Sequence, residues 1–174
     1  NQTVASAEQI LTEELSRIYS TLKDEDNPSQ LMLSLGKLKS INIYFSGHIE
    51  NPGINLVHPF SDIFSAIVQA GGINDKGSLR EVQLIRNDQL LTTVDFYSFF
   101  MDGKNAFSNI KLIDGDVIHI PNVKKRVSIS GRVNRPSSYE LLSGESISDI
   151  ITYASGFTSD ASSTLILNQI IPVN

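Results

Sequence analysis

The first 40 residues carry a hydrophobic pattern with helical spacing. Between residues 8 and 22, apolar side chains recur at intervals of three and four: Ile10, Leu11, Leu15, Ile18 and Leu22. This spacing places them on one face of a helix. A polar run that ends in Pro28 stops the pattern. A second apolar group at 31–35 predicts another short helix with Ser29 as its N-cap. The segment 1–40 is either a lead-in helix that packs on the domain beginning near residue 41 or a helical linker from an upstream domain.

A different period begins at Ile41. From Ile41 to Phe45 every second residue is apolar, as in a half-buried strand. The tripeptide Asn51-Pro52-Gly53 predicts a turn, because proline fixes φ at the corner and glycine accepts a positive φ. Residues 54–57 should therefore return as the partner strand.

A capped helix comes after this hairpin. Ser61 is the predicted N-cap of a helix over 62–70, and Asp62 suits the positive end of the helix dipole. The helix has an apolar stripe that includes Ile63 and Ile67. Two glycines at 71–72 end it, since glycine adopts the left-handed conformation at little cost.

The pattern then returns to short strands. Strands are predicted at 82–86, 90–96 and 117–120, with a turn at 87–88 and a helical turn at 97–101. Helices on one face of a mixed sheet are typical of an α+β fold. The order of elements is that of a β-grasp sheet, which wraps around one helix.

A stretch of 27 residues occurs twice, at 47–73 and at 131–157, with an offset of 84 and no gap. A repeat of this size is a whole supersecondary unit. The sequence therefore predicts a helical lead-in at 1–40, a first module at 41–121 and a second module at 127–174. The second module has strands at 127–133, 139–142 and 165–171 and a helix capped by Ser146. It has no counterpart of 90–121, so we expect it to be truncated or completed by another segment.

The repeated residues resemble a known family. The shared pattern combines a strand ending in Gly-x-Val, a Pro-Gly turn, a helix ending in Ala-Gly-Gly, a basic strand residue and a Gly-Asp before the last strand. These features lie at 47–49, 52–53, 70–72, Arg86 and 114–121, and in the second copy at 131–133, Pro136 and 154–156. The second copy departs at Ser137 and Ser155, where the family usually has glycine. Both copies resemble the soluble-ligand-binding β-grasp (SLBB) domain of bacterial outer-membrane polysaccharide export proteins.

The resemblance implies tandem β-grasp modules preceded by a helix, and a non-enzymatic role in capsule or exopolysaccharide export. It implies a periplasmic location, with polysaccharide or other export subunits as partners and a homo-oligomer in the full-length protein. These exporters usually carry an N-terminal export domain and an anchor, which this sequence lacks. We therefore expect a mature or excised fragment that does not itself insert into the membrane. The alternative is a soluble receptor for a small ligand or glycan.

Charge and composition limit the kinds of partner and reaction that this chain can have. The chain of 174 residues has a net charge of −5, which disfavours a nucleic-acid partner because phosphates need clustered Lys and Arg. The charge is uneven, with five Lys+Arg against nine Asp+Glu in 41–121 and five against four in 122–174. There is no cysteine, which excludes disulfides and thiolate catalysis. No apolar run approaches the roughly 20 residues that span a bilayer.

No catalytic or metal-binding pattern emerges. His48, His58 and Glu50 together resemble a metal ligand set, but their spacing has no helical pairing that would support one. The Asp-Gly-Asp at 114–116 is interpreted as a tight turn before a strand, because the other ligand positions of a calcium loop are missing. Serines occur only in caps and turns. We predict no catalytic residue, metal or cofactor. A glycan-cleaving enzyme, the third alternative, would need two carboxylates across a cleft.

Six polar residues are candidate ligand contacts. Three form a basic run between the modules, which would pair with an acidic polysaccharide or with the acidic first module of a neighbouring copy, or would be a solvated linker. The other three lie on or beside rigid turns, where binding residues often occur. The candidates are Asn51, Lys124, Lys125, Arg126, Arg132 and Arg135. A ligand site is expected between the modules or on the two hairpins.

Overall fold

A computed structural model describes residues 3–23, 29–34, 36–105, 107–162 and 166. It contains two compact units, Asn1–Lys39 and Ser40–Asn174. In the first unit, helix α1 spans Val4–Leu15 and is followed by a 3₁₀ turn at Ser20–Lys23. The helix begins four residues earlier than predicted because Thr3 caps it, accepting a hydrogen bond from the Ser6 amide at 3.2 Å.

The second helix predicted in this unit is wrong. Residues 29–34 have no regular secondary structure. The apolar group there is too short to offset the cost of starting a helical turn without a packing partner. Ser29 is therefore not an N-cap.

The second unit confirms the α+β prediction. Its elements, in chain order, are β1 Ile41–Gly47, β2 Gly53–Val57, α2 Ile63–Gln69, β3 Val82–Arg86, β4 Gln89–Val94, α3 Tyr97–Asp102, β5 Val117–Ile120, β6 Arg126–Ile129, β7 Ser137–Glu140 and α4 Ile147–Tyr153. A five-stranded sheet has the order β2-β1-β5-β3-β4, and a two-stranded sheet pairs β6 with β7. Strands β1 and β5 are parallel, and every other pair is antiparallel.

The larger core lies between one face of the five-stranded sheet and α2. Side chains that are fully buried there include Ile43, Leu84 and Ile118 from the sheet and Ile63 from the helix. A group of phenylalanines extends this core, with Phe64 stacked on Phe107 and their ring centres 5.7 Å apart. A smaller core joins Tyr97 and Leu79 to the β6–β7 hairpin and α4. Consequently, the described part of the second unit is held by two apolar clusters.

Local turn and cap chemistry explains most element boundaries. The predicted turn at Asn87 and Asp88 is confirmed, and both residues have a positive φ, 51° and 59°. The cap predicted at Ser61 is wrong by one residue: the N-cap of α2 is Asp62, whose carboxylate accepts from the Ser65 amide at 2.7 Å. Aspartate there satisfies an unpaired amide and also faces the positive helix end.

The two repeated segments have the same local backbone structure. Helices α2 and α4 are offset by 84 residues at both ends. The same amide-to-carbonyl bonds recur at this offset: Glu50 to Gly72 and Asn134 to Gly156, both 3.0 Å, then Asn74 to His48 at 3.1 Å and Thr158 to Arg132 at 3.0 Å. Each segment therefore ties the chain after its first strand to the end of its helix.

The second segment departs from expectation at its strands. Strand β6 ends at Ile129, although the alternating pattern predicted it to continue to 133. Strand β7 begins at Ser137, two residues before the predicted start. Ser146 caps α4 as predicted, in a capping box with Asp149. The strand predicted at 165–171 lies outside the described residues, apart from Ile166.

Candidate ligand-binding cleft

Arg80 lies just before β3, where this part of the chain contacts the second repeated segment. Its side chain is only 5% exposed, yet it carries a full charge. It donates to Asp95 Oδ2 through Nε at 3.0 Å and through Nη2 at 2.9 Å. It also donates to both carboxylate oxygens of Glu145, at 2.6 and 2.7 Å. A planar guanidinium is suited to this arrangement because its donors match the spacing of carboxylate oxygens.

Two tyrosines enclose the same guanidinium. The Arg80 Cζ atom lies 4.6 Å from the ring centre of Tyr97 and 5.2 Å from that of Tyr153. At these distances the ring faces attract the cation. The Tyr153 hydroxyl donates to Glu145 Oε1 at 2.6 Å, and the Tyr97 hydroxyl accepts from the Glu140 amide at 2.7 Å. The charge is thus held between α3, which contains Tyr97, and the second repeated segment, which contains Tyr153 and Glu145.

The network changes the acid–base properties of its members. The hydrogen bond from Arg80 lowers the pKa of Glu145 to about 2, against the opposing effect of burial. Burial, together with the hydrogen bond to Glu145, raises the pKa of Tyr153 to about 12. Burial opposes the charge of Arg80, but the bonds to Glu145 and Asp95 outweigh it and raise its pKa. Both members of the ion pair are therefore charged throughout the physiological range.

A second buried contact lies beside the first. The carboxylate of Glu140 reaches the chain just before β3, where the Ser78 hydroxyl and the Leu79 amide both donate to it, the latter at 2.9 Å. Ser78 and Glu140 are both buried. Because a buried carboxylate must be hydrogen-bonded, this contact fixes the end of β7 against the start of β3.

A cleft of about 380 Å³ opens next to these contacts. It is lined by Glu81, Lys124, Lys125 and the run from Glu140 to Glu145. One wall is the turn from Leu142 to Glu145, in which Gly144 has a φ of 91°. The Glu145 carboxylate closes this turn by accepting from the Leu142 amide at 2.8 Å. Because the same carboxylate binds Arg80, the shape of the wall depends on the buried ion pair.

The charges that line the cleft are not equally available. Glu140 and Glu145 already accept hydrogen bonds from buried donors. Glu81 Oε1 accepts from Lys124 Nζ at 2.6 Å, while Glu81 Oε2 is buried and accepts from none of the described residues. Lys125 is exposed and forms no ion pair with any described residue. The accessible charge at the cleft is therefore positive, which suits a ligand with a carboxylate and hydroxyl groups.

The structure brings together two of the six predicted contacts. Lys124 and Lys125 line the cleft. Arg126 begins β6 and is exposed, but does not line the cleft. Arg132 pairs with Asp160 at 3.0 Å, and the Arg135 carbonyl accepts from the Tyr139 hydroxyl at 2.6 Å. These arginines are not gathered into one site.

Asn51 has a structural contact of its own. Its side-chain amide donates to the Ala70 carbonyl at 3.1 Å, which secures the end of α2. Seven of the nine residues that line the cleft, Glu81 and the run from Glu140 to Glu145, were not predicted from the sequence. A Ser-Gly pair signals a turn, but no local pattern indicates that this turn lies beside Lys125.

The histidines show no common site. His119 Nδ1 lies 2.9 Å from the Ser46 hydroxyl, and His58 packs edge-on against Phe60. Within the described ranges, no three His, Cys, Asp or Glu side chains are grouped as metal ligands. The turn predicted at Asp114–Asp116 is present, and the buried Asp116 accepts from Arg86 Nε at 2.8 Å. Among the helices in the described part of the chain, none is long and apolar enough to cross a membrane.

The fold and the cleft define a β-grasp-like α+β protein with a ligand-sized site where the chain before β3 meets the second repeated segment. The SLBB domain family model matches residues 42–95 and 126–167, more than half of the chain. The chain belongs to the SLBB domain family, which confirms the resemblance. Two Escherichia coli proteins, each named polysialic acid transport protein KpsD, are 25% identical to it over 108 residues. The match covers 62% of this chain and 19% of each relative, so the chain spans about a fifth of their length.

Proposed function

We propose that this chain is a non-enzymatic module of a periplasmic polysaccharide export protein that acts at the outer membrane. Its modules at 41–121 and 127–174 contact the exported polysaccharide and dock onto other subunits of the export machinery. The observation that carries the proposal is the SLBB match in both repeated segments. The name of the Escherichia coli relatives, polysialic acid transport protein, supports the same role.

The cleft supports glycan contact as part of this role. Its volume of about 380 Å³ is in the range of small-ligand sites and would hold one or two sugar rings of a longer chain. Lys125 provides a cation that forms no ion pair within the described part of the chain, and polysialic acid is a polymer of an acidic sugar. We therefore assign Lys125 as the main charged contact and Lys124 as a second one. On ligand binding, Lys124 would leave its ion pair with Glu81 and pair with the ligand carboxylate.

An amide-shift NMR titration tests glycan contact. The chain is titrated with an oligosaccharide that carries carboxylates and with a neutral one of equal length. Shifts are expected at 124–125 and 142–145 with the acidic sugar. Lys125→Ala should weaken binding by about threefold to tenfold, as expected for the loss of one exposed charge contact. Lys104→Ala removes an exposed lysine that pairs with Asp102 and serves as the matched control. If shifts are absent at millimolar sugar, or if both variants behave alike, glycan contact at this cleft is refuted.

The second candidate is a soluble receptor for a small ligand or glycan. The observation that favours it is the cleft itself, whose volume of about 380 Å³ is in the range of small-ligand sites. The two roles differ in how affinity depends on chain length. A receptor site should bind a monosaccharide as tightly as an oligomer, whereas an export contact should bind longer chains more tightly. Calorimetry with sugars of increasing length separates them.

Docking onto other subunits includes self-assembly. We propose that the full-length protein is a homo-oligomer, since most soluble oligomers pair copies of one chain. Native mass spectrometry of the full-length protein tests this, both in detergent and in a membrane environment. A monomer at all concentrations would remove self-assembly from the proposed function and leave the glycan contact unaffected.

A further inference from the structure

The five-stranded sheet has a second face, opposite α2, which we call the outer face. Across it, residues that are direct neighbours in the strand register form one continuous row. The row consists of Ile54 on β2, Tyr44 on β1, Val117 on β5, Ile85 on β3 and Leu90 on β4. Every strand of the sheet contributes one apolar side chain, so the row is an apolar stripe that crosses the whole sheet.

The stripe is exposed, most strongly at the sheet edges. Ile54 is 61% exposed and Leu90 is 58% exposed, and Leu56 beside Ile54 is 63% exposed. Tyr44, nearer the centre, is 43% exposed. Exposed apolar surface that is contiguous, in contrast to scattered single residues, marks an interaction surface.

Apart from Leu56, the other strand positions of the outer face are polar but uncharged. Beside the stripe, the register places these side chains on it: Asn42, Ser46, Gln83, Thr93 and His119. On the described strands, none of the outer-face positions holds Asp, Glu, Lys or Arg. This is unusual in a chain with 19% charged residues and a net charge of −5.

We propose that the outer face is covered by a second copy of this chain, with the two stripes packed face to face. The inference rests on the proposed self-assembly and names the surface that carries it. A copy with net charge −5 repels another copy over most of its surface. The strand positions of the outer face hold no charged residue, and the carboxylate of Asp114 beside them accepts from Asn42 Nδ2 at 3.0 Å. Two copies therefore meet over these strands with little repulsion and without burying an unpaired ion. A two-fold contact places the same patch on both sides, and this patch is complementary to itself in polarity.

The size of the stripe predicts a weak contact. Four gaps between strands of about 4.8 Å make it roughly 19 Å long. Five paired residues per strand, at about 3.3 Å each, give the outer face around the stripe a width of about 16 Å. The face therefore covers about 300 Å² on each copy, well under the roughly 800 Å² of a standard interface. The isolated chain should therefore dimerise only at high concentration, with a Kd of about 0.1 to 1 mM. In a full-length oligomer this contact would add to others by effective concentration.

Sedimentation equilibrium of the 174-residue chain from about 0.02 to 2 mM tests the inference. The average mass is expected to rise towards that of a dimer. Ile54→Lys and, at the opposite edge, Leu90→Lys should each weaken dimerisation at least tenfold, because each buries an unpaired charge. Val68→Lys is the matched control, since Val68 is 58% exposed but lies on α2 away from the outer face. Two-dimensional NMR spectra confirm that each variant is folded.

The possible outcomes separate this inference from the proposed function. Dimerisation lost in both outer-face variants and retained in Val68→Lys supports it, whether or not the cleft binds glycan. A chain that stays monomeric at 2 mM, or one whose dimer is equally sensitive to all three variants, overturns it while the glycan titration stands independently. If Ile54→Lys abolishes acidic-sugar shifts and leaves self-association unchanged, the outer face is a glycan surface and the inference is overturned.

Discussion

Gly47 ends strand β1 at the point where the chain passes closest to β5. Its φ is 81°, and a Cβ atom there would lie 2.0 Å from the Ile120 carbonyl oxygen. That oxygen cannot easily move, because it accepts the His48 amide at 2.9 Å. Gly131, its counterpart in the second segment, has a φ of 93°, but a Cβ there would meet no described heavy atom within 4 Å.

This difference predicts unequal costs for one substitution. Gly131→Ala should lower the free energy of unfolding by about 1 to 2 kcal/mol, the cost of a left-handed non-glycine residue. Gly47→Ala carries the same cost plus the separation of β1 from β5, and should reach about 4 kcal/mol or more. Urea denaturation of both variants measures the two values. Equal losses would show that backbone conformation, and not the close approach of β5, requires the glycine.

Glu145 should make stability depend on pH in an acidic window. Its folded pKa of about 2 lies below the ordinary 4.5, so its charge stabilises the fold fully above pH 4.5, and this contribution is lost as the pH falls through 2. The shift corresponds to at most about 3 kcal/mol. Glu145→Gln should therefore be less stable than the parent at pH 7, and the difference should shrink towards pH 2.

Urea denaturation of the parent and of Glu145→Gln at pH 7, 4.5, 3 and 2 measures this difference. Asp102→Asn, at a carboxylate that is 53% exposed, is the control and should give a small, flat difference. A constant gap for Glu145→Gln across the whole range would show that Glu145 contributes through packing and not through its charge.

At this scale the sequence predicts local chemistry better than long-range chemistry. The turn at Asn87 and the cap at Ser146 were predictable because each is determined by a few neighbouring residues. The role of Arg80 was not, since its partners Asp95 and Glu145 lie 15 and 65 positions away. No spacing rule links an arginine before a strand to a carboxylate in a later turn.

For the helices and strands, the sequence predicted the presence of each element more reliably than the residue at which it ends. The strands of the five-stranded sheet and helix α2 have a clear hydrophobic periodicity, and the sequence predicted all of them. Strand β6 stops at Ile129 because only four of its residues pair with β7, although apolar alternation continues beyond it. Helix α1 stops at Leu15 although its apolar stripe continues, so the stripe alone does not determine the end. Pairing and capping, and not periodicity, decide these boundaries.

The contact between Arg80 and the second repeated segment should make β6, β7 and α4 unfold together with the five-stranded sheet. Arg80 connects the start of β3 to the turn before α4 through Glu145. Arg80→Met would leave Asp95 and Glu145 without their cation, and the loss of one partner from a buried ion pair costs about 3 to 5 kcal/mol. Hydrogen exchange followed by NMR should then show faster opening of β6, β7 and α4 than of the five-stranded sheet.

The parent chain should instead open both parts at similar free energies. Arg17→Met is the control, because Arg17 is 69% exposed in its pair with Glu14 and should contribute under about 1 kcal/mol. If Arg80→Met unfolds in one step with the parent's exchange pattern, the apolar contacts around Tyr97 and Leu79 alone are sufficient to couple β6, β7 and α4 to the five-stranded sheet.

For the whole molecule, part of the candidate site was predictable from the sequence and its shape was not. The basic run at 124–126 made Lys124 and Lys125 predictable as candidate contacts, because a cluster of charges can be recognised in a sequence. The cleft exists because the Glu140–Glu145 run folds back beside them, held by Ser78 and Arg80. Those contacts bridge more than sixty positions, so only the assembled fold shows which lysines share a cleft with the Ser143–Gly144 turn.

The charge distribution of the assembled molecule predicts how salt affects ligand binding. An acidic oligosaccharide approaches a chain of net charge −5 and is attracted to the accessible lysine of the cleft. The attraction at Lys125 is exposed to solvent and is screened by salt over about 10 Å at 0.1 M. Raising NaCl from about 0.05 to 0.5 M should therefore weaken binding of the acidic sugar several-fold and leave neutral-sugar binding unchanged. In Lys125→Ala the salt dependence should be smaller than in the parent. Calorimetric titrations at the two salt concentrations measure it, and equal salt dependence for the parent and for Lys125→Ala would place the charge contact elsewhere on the molecule.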